Sequence, residues 1–239
     1  MSVSDRKRTA LPHEYQDGIL AITAMGGGLT TRVLPDDKRA FRFEVIFRTD
    51  HARLRGLAKP PMHFHLYQDE YVEVLEGALV VEVEHVEHVL RPGDGVFTLD
   101  RGVNHRTYPL DGGEKERVRM LLSGEQSTNP LRLELAFFEN WYAYQEQLFI
   151  SGESLDFIQA FCMFDAAGTC LTLPSWLPFR SSASRLLGIV VGRWIGQLLG
   201  YRPFYEEWTT DWNRLGKRMD AHMDTSALET VTGAKDKTR

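Results

Sequence analysis

The fold is decided by residues 63–77, which read HFHLYQDEYVEVLEG. His63 and His65 follow Pro60-Pro61, and the two prolines favour an extended segment here. Because positions i and i+2 of a strand project from one face, the two imidazoles are expected to point the same way. A short loop then lets Glu70 begin the next strand beside them. Two imidazoles and one carboxylate form a facial ligand set for a divalent transition metal.

Short strands surround this stretch from about residue 18 to residue 122. Alternating apolar and polar residues, as in 41–45 (FRFEV) and 81–84 (VEVE), predict antiparallel sheet. Residues 91–94 (RPGD) and 111–114 (DGGE) are turn sequences. Many short strands at near-regular spacing indicate a barrel or sandwich. The predicted strands are 18–23, 29–34, 41–48, 70–77, 78–84, 95–100, 105–110 and 117–122.

The stretch 63–77 resembles a motif of the cupin superfamily. That motif has a leading Gly, a His-any-His pair, a Glu and a closing Gly at set distances. His63, His65, Glu70 and Gly77 match it, while Gly56 lies one residue too early for the leading glycine. The match covers four ligand or turn positions in order, and the resemblance extends over about residues 18–122.

His105 opens the strand HRTYPL and is the natural fourth ligand. In the second cupin motif, a Gly precedes a Pro-any-Gly group and then a His. Gly93, Gly102 and His105 match this motif in part, because Asp100 stands where the family has proline and one extra residue separates the two glycines.

The resemblance implies a mainly β protein with a cupin barrel, a double-stranded β-helix of the jelly-roll type. It implies a divalent metal ion held by His63, His65, Glu70 and His105, with iron preferred and zinc, manganese or nickel as alternatives. We expect a flexible tail over 1–16, the barrel over 17–125, a helical extension over 126–223 and a second flexible tail over 224–239. A barrel followed by helices is similar to single-cupin proteins of fungi, some of them in secondary-metabolite pathways.

Beyond the barrel the sequence predicts helices. Asn129-Pro130 is typical of a helix start and leads into LRLELAFFENWYAYQEQLF, although a strand over LRLELAFF is the alternative. A second helix is expected from near Glu153 to Ala166, stopped by Gly168. A third is expected from about Ser184 to Gly200.

The third predicted helix carries a glycine stripe, at residues 188, 192, 196 and 200. Glycines at four-residue spacing share one face, where another backbone can approach closely. A membrane span is the alternative, but the apolar stretch of 186–201 is shorter than the roughly 20 residues that a bilayer needs and contains Arg193. We therefore expect packing on the barrel or on a second subunit, which favours a homodimer.

Composition excludes some partners. The 239 residues carry a net charge of −5, and the one dense basic run is Arg6-Lys7-Arg8, so nucleic acid is not expected. The stretch MSVSDRKRTALPHEY lacks the apolar core of a secretory signal, which predicts a cytoplasmic location. Cys162 and Cys170 lack metal-ligand spacing and are expected to be buried thiols.

Other polar and aromatic residues receive weaker assignments. His85 and His88 are expected at the surface and His51 in a solvated loop, and no role is assigned to His13 or His222. Strand parity places Thr107 inward and Arg106 and Tyr108 outward. Tyr67 and Gln68, in the ligand loop, are candidates for contact with substrate. The core is expected to include Trp141, Tyr142, Tyr144, Trp176, Trp194, Trp208 and Trp212.

Three functions follow from a metal in such a barrel. The first is an Fe(II)-dependent oxygenase of the dioxygenase type, whose interior, lined by Val72, Val74 and Val81, would suit an aromatic or polyketide-like substrate. The second is a redox-neutral isomerase, cyclase or decarboxylase that uses the ion as a Lewis acid. The third is a binding protein without turnover.

Overall fold

The computed structural model describes residues 8, 10–11, 13–52, 54, 59–110 and 116–216. All eight predicted strands are present, with ends within three residues of the expected positions. Within these residues the strands are β1 His13–Gln16, β2 Ile19–Ala24, β3 Leu29–Val33, β4 Arg39–Arg48, β5 His63–His65, β6 Glu70–Glu76, β7 Leu79–Val83, β8 Val86–Leu90, β9 Val96–Leu99, β10 His105–Pro109, β11 Arg117–Glu125 and β12 Thr169–Leu171.

The strands form two antiparallel sheets, which confirms the mainly β, cupin-type architecture. The larger sheet has the order β1-β2-β3-β4-β11-β6-β9, and the smaller has the order β12-β5-β10-β7-β8. Alternation along β4 buries Phe43 and Val45, and alternation along β6 buries Val72 and Val74. The expected inward position of Val81 is also confirmed, since it is fully buried.

The predictions for the chain ends and for the turns have different outcomes. Residues 13–16, expected to belong to a loose tail, form β1, which pairs with β2 through His13↔Ile22. The turn at 91–94 is confirmed, because the amide of Arg91 donates to Asp94 Oδ2 at 2.7 Å. The expected turn at 111–114, Gly56 and the predicted tail 224–239 with His222 lie outside the described residues.

The first two helices of the extension begin later than their sequences predict, whereas the third, expected from about Ser184, begins earlier, at Arg180. Helix α1 spans Leu135–Ser151, so neither the helix start at Asn129-Pro130 nor a strand over LRLELAFF is correct. The physical reason is Gln68, whose amide accepts a hydrogen bond from Leu133 N at 2.5 Å and donates to Leu133 O at 3.1 Å. This pairing holds the chain ahead of α1 against the barrel in a non-helical conformation.

Helix α2 spans Phe157–Ala166, and its N-cap, Asp156, accepts hydrogen bonds from Ile158 N and Gln159 N. The chain then turns at Gly168, which has a φ of +61°, and enters β12. The predicted stop of this helix is therefore confirmed, but the strand that follows was not predicted.

The third helix begins at Arg180, and α3 spans Arg180–Leu187. It continues as π-helical turns over Gly188–Ile195 and as α4 over Gly196–Leu198. The glycine stripe faces α2 of the same chain, because a Cβ at Gly192 would collide with the carbonyl group of Phe161. Arg193 forms a bidentate pair with Asp165 at 2.8 and 3.2 Å, which also fixes this helix to α2.

The aromatic residues expected in the core divide into two groups. Trp208 and Tyr144 are buried, as predicted, and Trp141, Tyr142 and Trp212 pack against the core from partly buried positions. Trp176 is 79% exposed and Trp194 is 36% exposed, so the prediction was wrong for these two. Among the described residues, no helix is long and apolar enough to cross a membrane.

Both cysteines are buried and free, as expected. Burial raises the pKa of each thiol, Cys162 and Cys170, to about 12. Thiols that stay protonated in this way are poor nucleophiles and poor metal ligands.

Candidate metal centre

The predicted ligand side chains meet where three strands of the barrel lie together. His63 and His65 lie on β5, and His105 at the start of β10 pairs directly with His63. Glu70 is the first residue of β6 in the other sheet. His65, Glu70 and His105 are buried, whereas His63 keeps part of its surface exposed. The cluster is therefore enclosed on most sides and open beside His63.

The distances within this cluster suit a single ion. One ring nitrogen each from His63, His65 and His105 lie within 4.8 Å of one another. Glu70 Oε2 lies 3.4 Å from His105 Nε2 and 3.8 Å from His65 Nε2. The structure thus brings all four predicted residues together, and their role as ligands remains a prediction.

Hydrogen bonds to backbone carbonyl groups orient two of the three imidazoles in the same sense. His63 Nδ1 lies 3.1 Å from Pro61 O, and His105 Nδ1 lies 2.9 Å from Val103 O. A carbonyl oxygen only accepts, so both Nδ1 atoms carry the proton and both Nε2 atoms keep a free lone pair. Among the described residues, His65 Nε2 and His105 Nε2 are buried without a hydrogen-bond partner. Buried polar atoms are ordinarily satisfied, so this pair fits a bound cation.

The electrostatics of the cluster also favour metal binding. Burial, together with the neighbouring His105 and His65, lowers the pKa of His63 to about 3. Burial also lowers the pKa of His65. Burial by itself would raise the pKa of Glu70, but its interactions with the neighbouring His105 and His65 outweigh burial and the net pKa falls. At neutral pH the imidazoles of His63 and His65 are therefore neutral and Glu70 is ionised, the forms that bind metal.

Glycines and a salt bridge hold the ligand strands in place. Gly77 has a φ of +77°, and a Cβ there would lie 2.7 Å from Arg117 O, so a side chain would not fit. The amide of Gly102 donates to His65 O at 2.8 Å, which joins the second-motif turn to the first. Arg101 contacts Asp69 at 3.2 Å and fixes the loop between β5 and β6.

The extension contributes two side chains that the sequence did not reveal. Strand β12 pairs with β5 in the register Thr169↔His65, and Thr169 Oγ1 lies 3.1 Å from His65 Nδ1. From α2, the ring of Phe164 lies parallel to His63, with a centroid distance of 6.5 Å. Trp141 of α1 packs on Phe164 at 4.8 Å. In the sequence, the helix stop predicted at Gly168 was the only feature that marked the place where the extension meets the barrel.

Tyr67 and Gln68 were expected to contact substrate, and the structure gives Gln68 a different role. Gln68 is buried and uses its amide on Leu133 and on Glu125 O, so its role is structural. Tyr67 lies against Gly168, where an added Cβ would lie 2.8 Å from its ring. Its contact with substrate remains a prediction.

The strand parity beyond His105 agrees with the expectation. Arg106 binds Glu82 through two 2.8 Å hydrogen bonds, and the hydroxyl of Tyr108 donates to Glu82 at 3.0 Å. This polar network lies on the face of β10 opposite to His105, and Thr107 lies on the His105 face.

His51, His85 and His88 lie outside the cluster. His85 and His88 are exposed, as predicted, and His85 occupies the turn between β7 and β8 with a φ of +70°. His51 is partly buried beside Gly28, in the loop after β4.

Comparison with known proteins agrees with this architecture. The family model described as the cupin domain matches residues 53–122. An oxidoreductase of Arthrobotrys oligospora is 40% identical over 214 residues, covering 87% of this chain and 85% of the relative. The epoxidase atD of Aspergillus terreus is 37% identical over 231 residues, covering 91% and 72%. The oxidoreductase macE of Penicillium terrestre is 41% identical over 191 residues, covering 76% and 74%.

The chain belongs to the cupin superfamily and, within it, to the family of fungal proteins named oxidoreductases that these relatives represent. The alignments extend well beyond the matched cupin domain. The relatives therefore share sequence with the extension as well as with the barrel.

Proposed function

We propose that this protein is a metal-dependent oxidoreductase, with Fe(II) as its ion, that oxidises a small organic substrate with dioxygen. The observation that carries the proposal is the pair of buried, unpartnered Nε2 atoms on His65 and His105, which face the ionised Glu70. The names of the relatives, oxidoreductase and epoxidase, support an oxidation as the reaction class. When bound, Fe(II) supplies one-electron redox chemistry and open positions for dioxygen and substrate oxygen atoms.

In this proposal His63, His65, Glu70 and His105 hold the ion. The hydrogen bonds from His63 to Pro61 and from His105 to Val103 keep the Nε2 atoms directed at it. These two hydrogen bonds fix the orientation of both rings through backbone carbonyl groups.

The substrate is proposed to enter beside His63, the one partly exposed member of the cluster. The rings of Phe164 and Trp141 form an aromatic wall next to it. Such a wall stacks favourably on flat, unsaturated rings and keeps water from the reacting atoms. This supports an aromatic or polyketide-like substrate.

A redox-neutral reaction is the second candidate, because the same nitrogen and oxygen donors accept zinc, manganese or nickel. In that case the ion polarises a substrate carbonyl and promotes isomerisation, cyclisation or decarboxylation. The names of the relatives favour the oxidation over this reaction, and over a binding protein without turnover.

Oxygen uptake tests the proposal. Protein reconstituted with Fe(II) is incubated with a panel of phenols, quinones and hydroxylated aromatic acids, with and without air. The proposal predicts substrate-dependent oxygen consumption that requires iron and is lost in Glu70→Gln. Turnover at the same rate under strict anaerobiosis would support the redox-neutral reaction instead.

A cytoplasmic location and a homodimer, both expected from the sequence, remain predictions. The glycine stripe no longer supports the homodimer, because Gly188, Gly192 and Gly196 lie against α2 of the same chain. Cell fractionation and analytical sedimentation test the two expectations separately.

A further inference from the structure

Tyr142 of α1 lies on the face of the helix that covers the barrel. Phe138 and Tyr142 are four residues apart, so they share one face of α1. Their ring centroids lie 6.0 Å apart. The ring of Phe138 packs on Phe41 and Phe43 of the larger sheet, at 4.9 Å from each. Tyr142 itself packs against the buried core, while part of its surface stays accessible. The helix therefore brings a phenol to the barrel.

Thr31 of β3 lies on the same face of the larger sheet as Glu70. Residues paired directly across antiparallel strands project from one face of the sheet. Thr31 pairs with Val45, which in turn pairs with Met120. Met120 also pairs with Val74 of β6, and alternation along β6 directs Val74 and Glu70 the same way. The Thr31 hydroxyl and the candidate metal ligand Glu70 thus both face the inside of the barrel.

The Thr31 hydroxyl is a polar group in an apolar surrounding. Thr31 is fully buried between its pairing partners Ile22 and Val45, which are buried as well. Among the described residues, Thr31 Oγ1 makes no hydrogen bond of ordinary geometry. Buried hydroxyls are ordinarily satisfied, so an unsatisfied one indicates that a ligand or an ordered water bonds there.

The phenol of Tyr142 is the polar neighbour of this hydroxyl. Burial raises the pKa of Tyr142 to about 12, while the Thr31 hydroxyl opposes the rise and the charge of Glu70 adds to it. Thr31 and Glu70 are therefore both close enough to the phenol to act on it. A phenol with such a pKa stays protonated at neutral pH and donates a hydrogen bond.

The two hydroxyls together offer more donors than they can use on each other. Each hydroxyl has one O–H group and two acceptor lone pairs. A hydrogen bond between Tyr142 and Thr31 uses one of the two O–H groups, so the second can donate to a further oxygen atom. The apolar surrounding makes such a bond stronger than it would be in water.

We propose that the Tyr142 hydroxyl, with Thr31 behind it, binds an oxygen atom of the substrate inside the barrel. The inference rests on the proposed function, because it concerns the other end of the same substrate. A donating phenol requires an acceptor, which is a carbonyl or hydroxyl oxygen. The neighbouring ring of Phe138 suits a flat apolar body. The substrate class is thereby narrowed to flat molecules with two oxygen substituents, one for the metal centre and one for Tyr142.

Binding of two flat probes tests the proposal. 2-Naphthol has one hydroxyl, and 2,6-dihydroxynaphthalene has the same rings with a second hydroxyl at the opposite end. Full-length protein is reconstituted with Zn(II), which does not support turnover with dioxygen, and each probe is titrated by calorimetry. We expect wild type to bind the dihydroxy probe about tenfold more tightly, because its second oxygen reaches Tyr142. Tyr142→Phe removes only the hydroxyl, so it should weaken the dihydroxy probe about tenfold and leave 2-naphthol unchanged.

Tyr15→Phe is the matched control, since it removes the hydroxyl of a tyrosine that is 69% exposed on β1. It is expected to bind both probes as wild type does, and elemental analysis should give the same zinc content in all three proteins. Equal affinity of wild type for the two probes would overturn the proposal, as would failure to bind either of them. Equal weakening of both probes in Tyr142→Phe would also overturn it, and loss of zinc in this variant would assign Tyr142 to Glu70 instead.

Oxygen uptake with Fe(II) tests the proposed function separately. A protein that distinguishes the two probes through Tyr142 but consumes no oxygen would keep this binding role and lose only the oxidation.

Discussion

The barrel and the C-terminal extension contribute to the candidate metal centre in different ways. The barrel strands carry His63, His65, Glu70 and His105, whose atoms face one another directly. The extension carries groups that contact these residues from outside, with Thr169 beside His65 and an aromatic ring beside His63. The difference shows that the candidate ligands are all encoded within the barrel sequence, while the orientation of His65 also involves Thr169, about a hundred positions away.

The two regions also share one hydrophobic core. Phe138 of α1 lies 4.9 Å from both Phe41 and Phe43 of β4, measured between ring centroids. The same buried cluster includes Phe164 of α2. The extension is therefore joined to the barrel by packing as well as by the β5–β12 pairing.

The largest expected effect comes from Phe138→Ala, which removes a buried ring from this shared core. We expect a loss of about 3–5 kcal/mol in the free energy of unfolding, the usual cost of such a truncation. Because the core is shared, urea denaturation should follow a single transition, observed equally by fluorescence and far-UV circular dichroism. Phe157→Ala, at a 64% exposed position of α2, is the matched control and should change stability by less than about 0.5 kcal/mol. Two separate transitions would mean that the extension folds independently.

A smaller effect is expected from Glu139, a buried residue of α1. Burial raises the pKa of Glu139 to about 7, although Thr210 donates hydrogen bonds to both of its carboxylate oxygens. Its folded-state pKa is above the unfolded value, so it stabilises the fold fully at low pH and loses that contribution as pH rises through about 7.

Glu139→Gln removes this titration and tests its sign. The variant should become more stable relative to wild type between pH 5 and pH 8, by up to about 3 kcal/mol. Urea unfolding of both proteins across this range measures the difference. Parallel curves for the two proteins would show that Glu139 does not titrate there.

The smallest expected effect concerns Thr169, the link between the extension and the ligand set. Thr169→Val keeps the shape of the side chain but removes the hydroxyl beside His65 Nδ1. Loss of such an orienting partner weakens metal binding about tenfold. Competition titration with a chelating dye measures this change, and Thr169→Ser, which retains the hydroxyl, should bind as wild type does. Equal metal affinities for the valine and serine variants would show that the Thr169 hydroxyl does not influence the metal centre.

Sequence patterns were sufficient to predict most strands of the barrel. Alternation along β4 and β7, and the turns that end them, predicted the strands because each pattern lies within about ten residues. The spacing of His63, His65 and Glu70 predicted their meeting, because a strand and a short loop leave few other arrangements.

The extension was less predictable, because its structure depends on distant contacts. Strand β12 has three residues, too few to show alternation, and forms only because β5 has a free edge beside it. Helix α1 starts at Leu135 because Gln68 pairs with Leu133, a contact that spans 65 positions. Neither interaction leaves a local signal in the sequence.

The central claim is that the four barrel residues hold a metal ion, and elemental analysis tests it most directly. Untagged protein is purified without chelator beside His65→Ala, with His88→Ala as a control that removes an exposed histidine. We expect near-stoichiometric iron in wild type and in His88→Ala, and its loss in His65→Ala. Absence of any metal from wild type, even after reconstitution with Fe(II), would show that these four residues do not hold an ion.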